Sequence, residues 1–569
     1  MHTHFLAWLK DRNRGYCLLL IGAVLALYLP YLANPFFFDD IAFFSSVRYP
    51  YGVYSDLLKP RATPYNSLLL TLQWFGSDLP HAYRLVDAVL HAATAIALFV
   101  FLRSLLRHTC DQRTQQGTLD FAAAAAALLF ALHPVASYAA GYIIQRSIVM
   151  ATLFALLSQW AYLNALVTGK RRWLVLTVLA YFFACFSKEH AVSVALLIAA
   201  ITVLMRARLR AVLPATLPAL LLPLLVTALS MGVVAVLVAL RVRGVVGTTY
   251  EPMAAHAFAQ SGVPDVQLSH PLSIVTQAGL YFKYLMLWLM PNPAWMSVDM
   301  RSVFLNSLTQ WQAWAGALAF LLYGGVAMRM LFARGTVALA GFGLLSPWLM
   351  FLVEFSAVRV QEAFVLYRSY LWMSGLMLLA ALLMVRLQQV LAKRGWSRPW
   401  VRLGVLLVLL AVLVPATRNR LDVASDTWRL WDDAARMLDG DAVPGADRIL
   451  YNRANAALVA GRPADAISDL NRVARLRPEL FQVQQALGYA HFANNDFSKA
   501  ETAFRQGLTQ QPGNAVLLYA RAIALARLGQ MRESREDMAA ACAAQHMLAC
   551  LASASMQVKG KQPGVRQRE

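Results

Sequence analysis

A chain of 569 residues with 59% hydrophobic and only 14% charged residues lies far from soluble domains, whose apolar and charged shares run near ~45–50% and ~25%. Its formal net charge of +21 would suit a nucleic-acid binder if Lys and Arg gathered on a soluble face, but they sit between apolar runs, where they set membrane orientation. The five cysteines, Cys17, Cys110, Cys185, Cys542 and Cys550, include no CxxC pair and give no metal or disulfide framework; Cys542 and Cys550 can pair if the C-terminal part is extracytoplasmic.

A spanning helix needs roughly 20 mostly apolar residues, and the Lys/Arg bias of short loops fixes its direction. The first run, 16–33, follows Lys10, Arg12 and Arg14 and has no small-residue cleavage site after it. It predicts a retained anchor with its N-terminus in the cytoplasm and the next loop outside. Further spans are predicted over 85–102, 121–134, 148–167, 173–186, 192–205 and 212–240. Their inner turns carry Arg103, Arg107 and Arg113, then Lys170-Arg171-Arg172, then Arg206, Arg208 and Arg210. Counting 274–290 as a span would turn Arg329, Arg334, Lys393, Arg394 and Arg398 outward, so it reads as a helix lying in or dipping into the outer face. With spans at 311–327, 337–353, 370–385 and 401–414, about eleven result, and everything after Pro415 is outside.

Beyond Pro415 the chain turns polar and Ala-rich, and a 34-residue period emerges when Pro478 is aligned with Pro512. The same shift superposes Gly461 on Asn495 and Gly529, and Ala466 on Ala500 and Ser534. That is the tetratricopeptide period, with Gly488 and Ala500 where two helices approach closely and Phe504 filling the contact. Two good repeats and a degraded third are expected. The predicted class is therefore all-α: a polytopic membrane domain over 1–417, a linker over 418–446, a tetratricopeptide α-solenoid over 447–554 and a disordered tail over 555–569.

In the first outer loop, Phe36-Phe37-Phe38-Asp39-Asp40 sets adjacent carboxylates just past a span, amid interfacial aromatics. Carboxylates near lipid are costly and tend to be functional. Adjacent side chains point in different directions, so one can act as general base while the other supports; the alternative is a cap on an interfacial loop. A double acid here is what GT-C-fold glycosyltransferases carry. Phe38-Asp39-Asp40-Ile41, then Arg84-Leu85-Val86-Asp87 with Leu90-His91-Ala92, resembles the opening of the TMTC-type protein O-mannosyltransferases and their bacterial relatives. Leu132-His133-Pro134-Val135, Tyr142-Ile143-Ile144-Gln145-Arg146, Ser187-Lys188-Glu189 and Leu366-Tyr367-Arg368-Ser369-Tyr370 follow in the family order, as does the layout of membrane half then repeats. The family's acid after His-Pro is Ser137 or Tyr138 here, its usual Gly-Arg is Gln145-Arg146, and the array is shorter than in eukaryotic members.

The resemblance implies a GT-C-like enzyme that moves a sugar from a polyprenyl-phosphate donor to an acceptor such as a protein hydroxyl on the extracytoplasmic side. Asp39 or Asp40 would take the acceptor proton in a single displacement that inverts the anomeric centre. Arg146 and Arg368 fall on the outer side, where guanidinium groups can hold the donor phosphate, or else simply snorkel. His133, Gln145, Lys188, Glu189 and Tyr367 are the supporting candidates; Lys188 and Glu189 could equally pair with each other and cap their hairpin. His133 reads as a helix-end residue, His91 as a satisfied core histidine, and Asp87 as a partner of Arg84 or His91 within its helix. Glu354, Arg359 and Glu362 read as a charged outer loop. No cofactor is expected; an Asp pair can bind a divalent ion, but a metal is not favoured. No Walker loop is present and no nucleic acid is expected as a partner. The repeats would present the protein acceptor, and the retained basic N-terminus suits a bacterial inner membrane with the repeats in the periplasm. The rival readings are a non-catalytic scaffold for envelope assembly and a flippase for lipid-linked sugars.

Overall fold

The computed structural model describes residues 12–45, 56–76, 80–110, 114–249, 258, 262–263, 266–394, 399–441 and 443–560. It divides into two compact units, Met1–Asp426 and Thr427–Glu569. Among the described residues both are built from helices, and the only strand-like pairing is an isolated antiparallel bridge between Met300 and Phe364.

Helix is what the first unit's apolar runs demand, because a backbone in lipid must satisfy its N–H and C=O groups within the segment. All eleven predicted spans fall on helices, yet only eight of these, among the described residues, are individually long and apolar enough to cross a membrane, or nine if one bent pair is a single span. Two local features account for the difference. The run 121–134 is broken at His133-Pro134, where Gln116–Ala131 and Pro134–Ala140 meet at 65°; Pro134 supplies no N–H and forces His133 out of the helical region. The hairpin 173–205 is made of two shorter helices, Arg171–Ser187 and Glu189–Leu204. Residues 274–290 form the helix Ser269–Leu289, which is not among the eight.

Close packing comes from small residues. Ala122 to Ala127 are all buried, which lets Gln116–Ala131 approach Pro80–Thr109 and Met377–Lys393. In the hairpin of Trp311–Leu331 and Gly335–Phe351, a Cβ on Gly341 would lie 2.4 Å from the Leu331 backbone nitrogen, so no larger residue fits. Basic turns read as inward-facing are also in contact. Arg206 donates to the carbonyls of Leu331, Phe332 and Ala333 at 3.2, 2.5 and 2.7 Å, capping a helix C-terminus. Arg103 and Arg107 share Asp120, at 3.0 and 2.6 Å.

The second unit begins with the helix Thr427–Arg436, inside the stretch predicted as linker. It continues through Ala446–Val459, Pro463–Leu476, Phe481–Ala493, Phe497–Gln510, Ala515–Arg527, Met531–Ala543 and Met547–Gly560. The last of these covers the start of the predicted tail; 561–569 lie outside the described residues. Each helix packs on the next, and the first helices of successive pairs also touch. The superposed positions Gly461, Asn495 and Gly529 all hold left-handed backbone, with φ of 69°, 60° and 80°. Each is followed by an N–H that reaches back to the preceding helix, as from Asp496 to the His491 carbonyl at 2.9 Å. Sequence reading missed a second mark of the period. Arg453 grips Asp469 with two bonds of 2.7 and 2.6 Å, and 68 residues on, two periods, Arg521 grips Asp537 in the same way. At the intermediate repeat the equivalent positions are Leu487 and Ala503, both in the apolar core.

The Phe504 ring lies where a Gly488 Cβ would sit, 2.3 Å from its position. Gly488→Ala is therefore expected to cost about 1–3 kcal/mol by overpacking. Hydrogen exchange on the full chain should show faster exchange of amides in Phe481–Gln510, partly restored by adding Phe504→Leu; unchanged protection would refute the close contact.

Candidate functional site

The loop after the first apolar helix delivers its two acids into different environments. Phe38 adopts φ 52°, a left-handed conformation costing roughly 1–2 kcal/mol for a residue with a Cβ. It feeds the short helix Asp39–Ser45, whose first turn holds both acids. The turn is fastened from the segment after the Pro134–Ala140 helix. The Asp39 N–H donates to the Tyr142 hydroxyl at 2.9 Å, the Ile144 N–H donates to Asp40 Oδ1 at 2.9 Å, and Phe37 stacks on Tyr142. Asp39 remains exposed. Asp40 is 0% exposed, and its Oδ2 has no hydrogen-bond partner. Arg84 is nearby but spends its donors on the carbonyls of Asn34, Pro35 and Gly141. Burial pushes the Asp40 carboxyl up to about 7 against the pull of the Arg84 guanidinium.

The two arginines expected to hold a phosphate have carboxylate partners. Arg146, 0% exposed, pairs with Asp87 at 2.5 Å and donates to Ser67, Thr71 and the Tyr83 carbonyl. Asp87 thus meets a neighbouring helix rather than Arg84 or His91 in its own. His91 is buried with one ring nitrogen on the Tyr370 hydroxyl and the other on the Ala131 carbonyl. Arg368 reaches Glu354 at 3.1 Å and Glu362 at 3.5 Å.

Glu354, expected in a solvated loop, is 1% exposed and is the hub of a buried network. It also accepts from His190 at 2.6 Å and lies 3.3 Å from Arg359. The difference arises because the turn Leu352–Ser356 packs against the helix Ser269–Leu289 and the turn Glu189–Ser193. Glu189 pairs with Arg61 through two bonds, 2.7 and 3.2 Å, and not with Lys188. Lys188 is only 4% exposed, with its ammonium 5.8 Å from the Tyr367 ring centroid and no carboxylate bound to it. Burial, and next the Arg61 charge, push its amine down to about 7. Tyr367 in turn sets its ring edge against Tyr142, which anchors Asp39. A chain of contacts therefore runs from the exposed acid to the buried amine.

Arg61 escaped sequence reading, although an arginine in a loop that the charge pattern assigns to the outside runs against the positive-inside rule and is a legible signal. Its own φ of 63° marks a second strained residue in this unit. Arg61 and Glu189 border a cavity of about 530 Å³ whose other wall, with Ala235, Val238, Val242 and Val246, is apolar except for Arg241. Arg359 and His190 also line it.

His133 caps the helix Pro134–Ala140, accepting from the Val135 N–H at 3.2 Å, and stacks on Trp288. Gln145 is buried, with its Oε1 lacking a partner. The structure thus brings Asp39, Tyr367, Lys188 and Glu189 to one region, while Arg146 and His133 serve as internal fastenings.

In the second unit, Cys542 and Cys550 form a disulfide. No protein-family model matches the chain. A stretch of 94 residues is 30% identical to an Hsp70-Hsp90 organizing protein of Triticum aestivum, a likeness that spans 16% of this chain and 16% of that protein.

Proposed function

We propose that this chain is a GT-C-like glycosyltransferase of a bacterial inner membrane that works on the extracytoplasmic side, with a periplasmic tetratricopeptide domain that presents a protein acceptor. The reading rests above all on the cavity beside Arg61 and Glu189, whose one charged and one largely apolar wall suit a phosphate joined to a long hydrocarbon. Asp39 takes the proton of the acceptor hydroxyl as that oxygen attacks the anomeric carbon. The bond from that carbon to the phosphate oxygen breaks with inversion, and the departing phosphate is met by Lys188 and Arg61. The Cys542–Cys550 disulfide supports an oxidising compartment for the second unit, and its 34-residue helical stack supports the tetratricopeptide assignment.

The test is transfer by purified protein in lipid from a panel of polyprenyl-phosphate sugars, wild type against Lys188→Met. Loss of a preorganised N–H donor at the leaving phosphate is expected to lower the rate by about 10²–10³. Wild-type transfer with Lys188→Met at full rate would remove Lys188 from the mechanism, and no transfer by wild type across the panel would sink the reading. In that event the likeness to an organizing protein favours the alternative, a membrane-anchored scaffold.

A further inference from the structure

We propose that a second cavity, at the face that sequence charge assigns to the cytoplasm, binds the phosphate headgroup of an anionic phospholipid. The cavity measures about 640 Å³ and is lined by His108, Thr109, Arg206, Arg334 and Gly335, with Phe332 at its side. No Asp or Glu lines it. Arg206 makes its hydrogen bonds to backbone carbonyls, those of Val203, Leu331, Phe332 and Ala333, so its charge is met by dipoles and not by a carboxylate. Arg334 adds a second guanidinium from an exposed position. Three turns that are separate in sequence, at 108–109, 204–206 and 332–335, converge here.

A phosphate in this cavity would find the donors of Arg334, together with the charge and the Nε–H of Arg206, whose other N–H groups stay on carbonyls, within a concave, partly apolar enclosure where charge-assisted hydrogen bonds are strongest. The surroundings indicate what carries the phosphate. Phe332 is 57% exposed and Val337 48%, so the mouth adjoins bare apolar surface of the kind that acyl chains cover. Basic pockets between spanning helices on the cytoplasmic side suit anionic headgroups. The ligand is therefore a membrane lipid rather than free phosphate. The inference rests on the membrane embedding of the first unit and its orientation, and is independent of sugar transfer.

The test is native mass spectrometry of full-length protein exchanged into phosphatidylglycerol, phosphatidylcholine or detergent with millimolar inorganic phosphate. Wild type is expected to retain phosphatidylglycerol, and Arg334→Gln, which leaves the Arg206 helix cap in place, to weaken retention about five-fold. Arg206→Gln is the companion variant, read only where it remains monodisperse, with a larger loss expected. Equal retention by wild type and Arg334→Gln, equal retention of both lipids, or occupancy by inorganic phosphate without lipid would each overturn the proposal. Because the readout needs no donor or acceptor sugar, a failed transfer assay leaves it unaffected.

Discussion

Asp39→Asn is expected to lower sugar transfer by about 10²–10⁴, the usual worth of a positioned general base, whereas Asp40→Asn retains most of it. The two residues are adjacent, but only Asp39 is exposed to an arriving hydroxyl, while Asp40 is sealed behind the turn with one oxygen on the Ile144 N–H. Asparagine has the shape of the neutral acid that burial favours at Asp40. The linkage sign follows from the raised value. The folded protein holds the Asp40 proton up to about pH 7 while the unfolded chain releases it near 3.8, so this group's stabilisation is complete below that lower value and is lost as pH rises through 7. Asp40→Asn should therefore gain thermal stability over wild type at pH 8 and lose that advantage near pH 4. Transfer and melting assays on both variants decide it: full transfer by Asp39→Asn removes the acid from the mechanism, and a stability difference independent of pH removes the protonation argument.

The largest effect on stability is predicted at Arg146. Truncating it as Arg146→Met leaves Asp87 buried without its cation, a loss of about 3–5 kcal/mol for a pair of this kind, together with the bonds to Ser67, Thr71 and the Tyr83 carbonyl. The double variant Arg146→Met with Asp87→Leu removes both charges and should recover a large part of the loss. Thermal unfolding in detergent provides the comparison. A fully stable Arg146→Met that has lost only donor binding would restore the phosphate-holding role and refute the structural one.

Regular apolar runs and a regular repeat were legible in the sequence because each is a local pattern. Helix follows from an apolar run of sufficient length, and the left-handed turns at Gly461, Asn495 and Gly529 follow from one periodic alignment. The span count was less legible, since the break at His133-Pro134 and the short paired helices depend on how neighbours pack. The site divided on the same line. The acids at 39 and 40 stood out as a motif, but their unequal exposure comes from Tyr142 and Ile144, a hundred residues away in sequence. Arg146 could not be assigned from sequence, because its partners come from helices at 62–75 and 80–109. Glu354 differs from its sequence reading for a similar reason: His190 and Arg368, from two other turns, join Arg359 around it and convert a loop charge into a buried hub.

The Arg146–Asp87 pair also has a consequence for biosynthesis. The partners are 59 residues apart, and a ribosome adding ~5–20 residues per second needs about 3–12 s to cover that distance. Throughout that interval Asp87 exists and its arginine does not. A lone carboxylate is costly in hydrocarbon, so the helix Pro80–Thr109 has reason to linger at the insertion machinery until Arg146–Thr168 follows. The pair would then act as a timing device, releasing the two helices into the bilayer together.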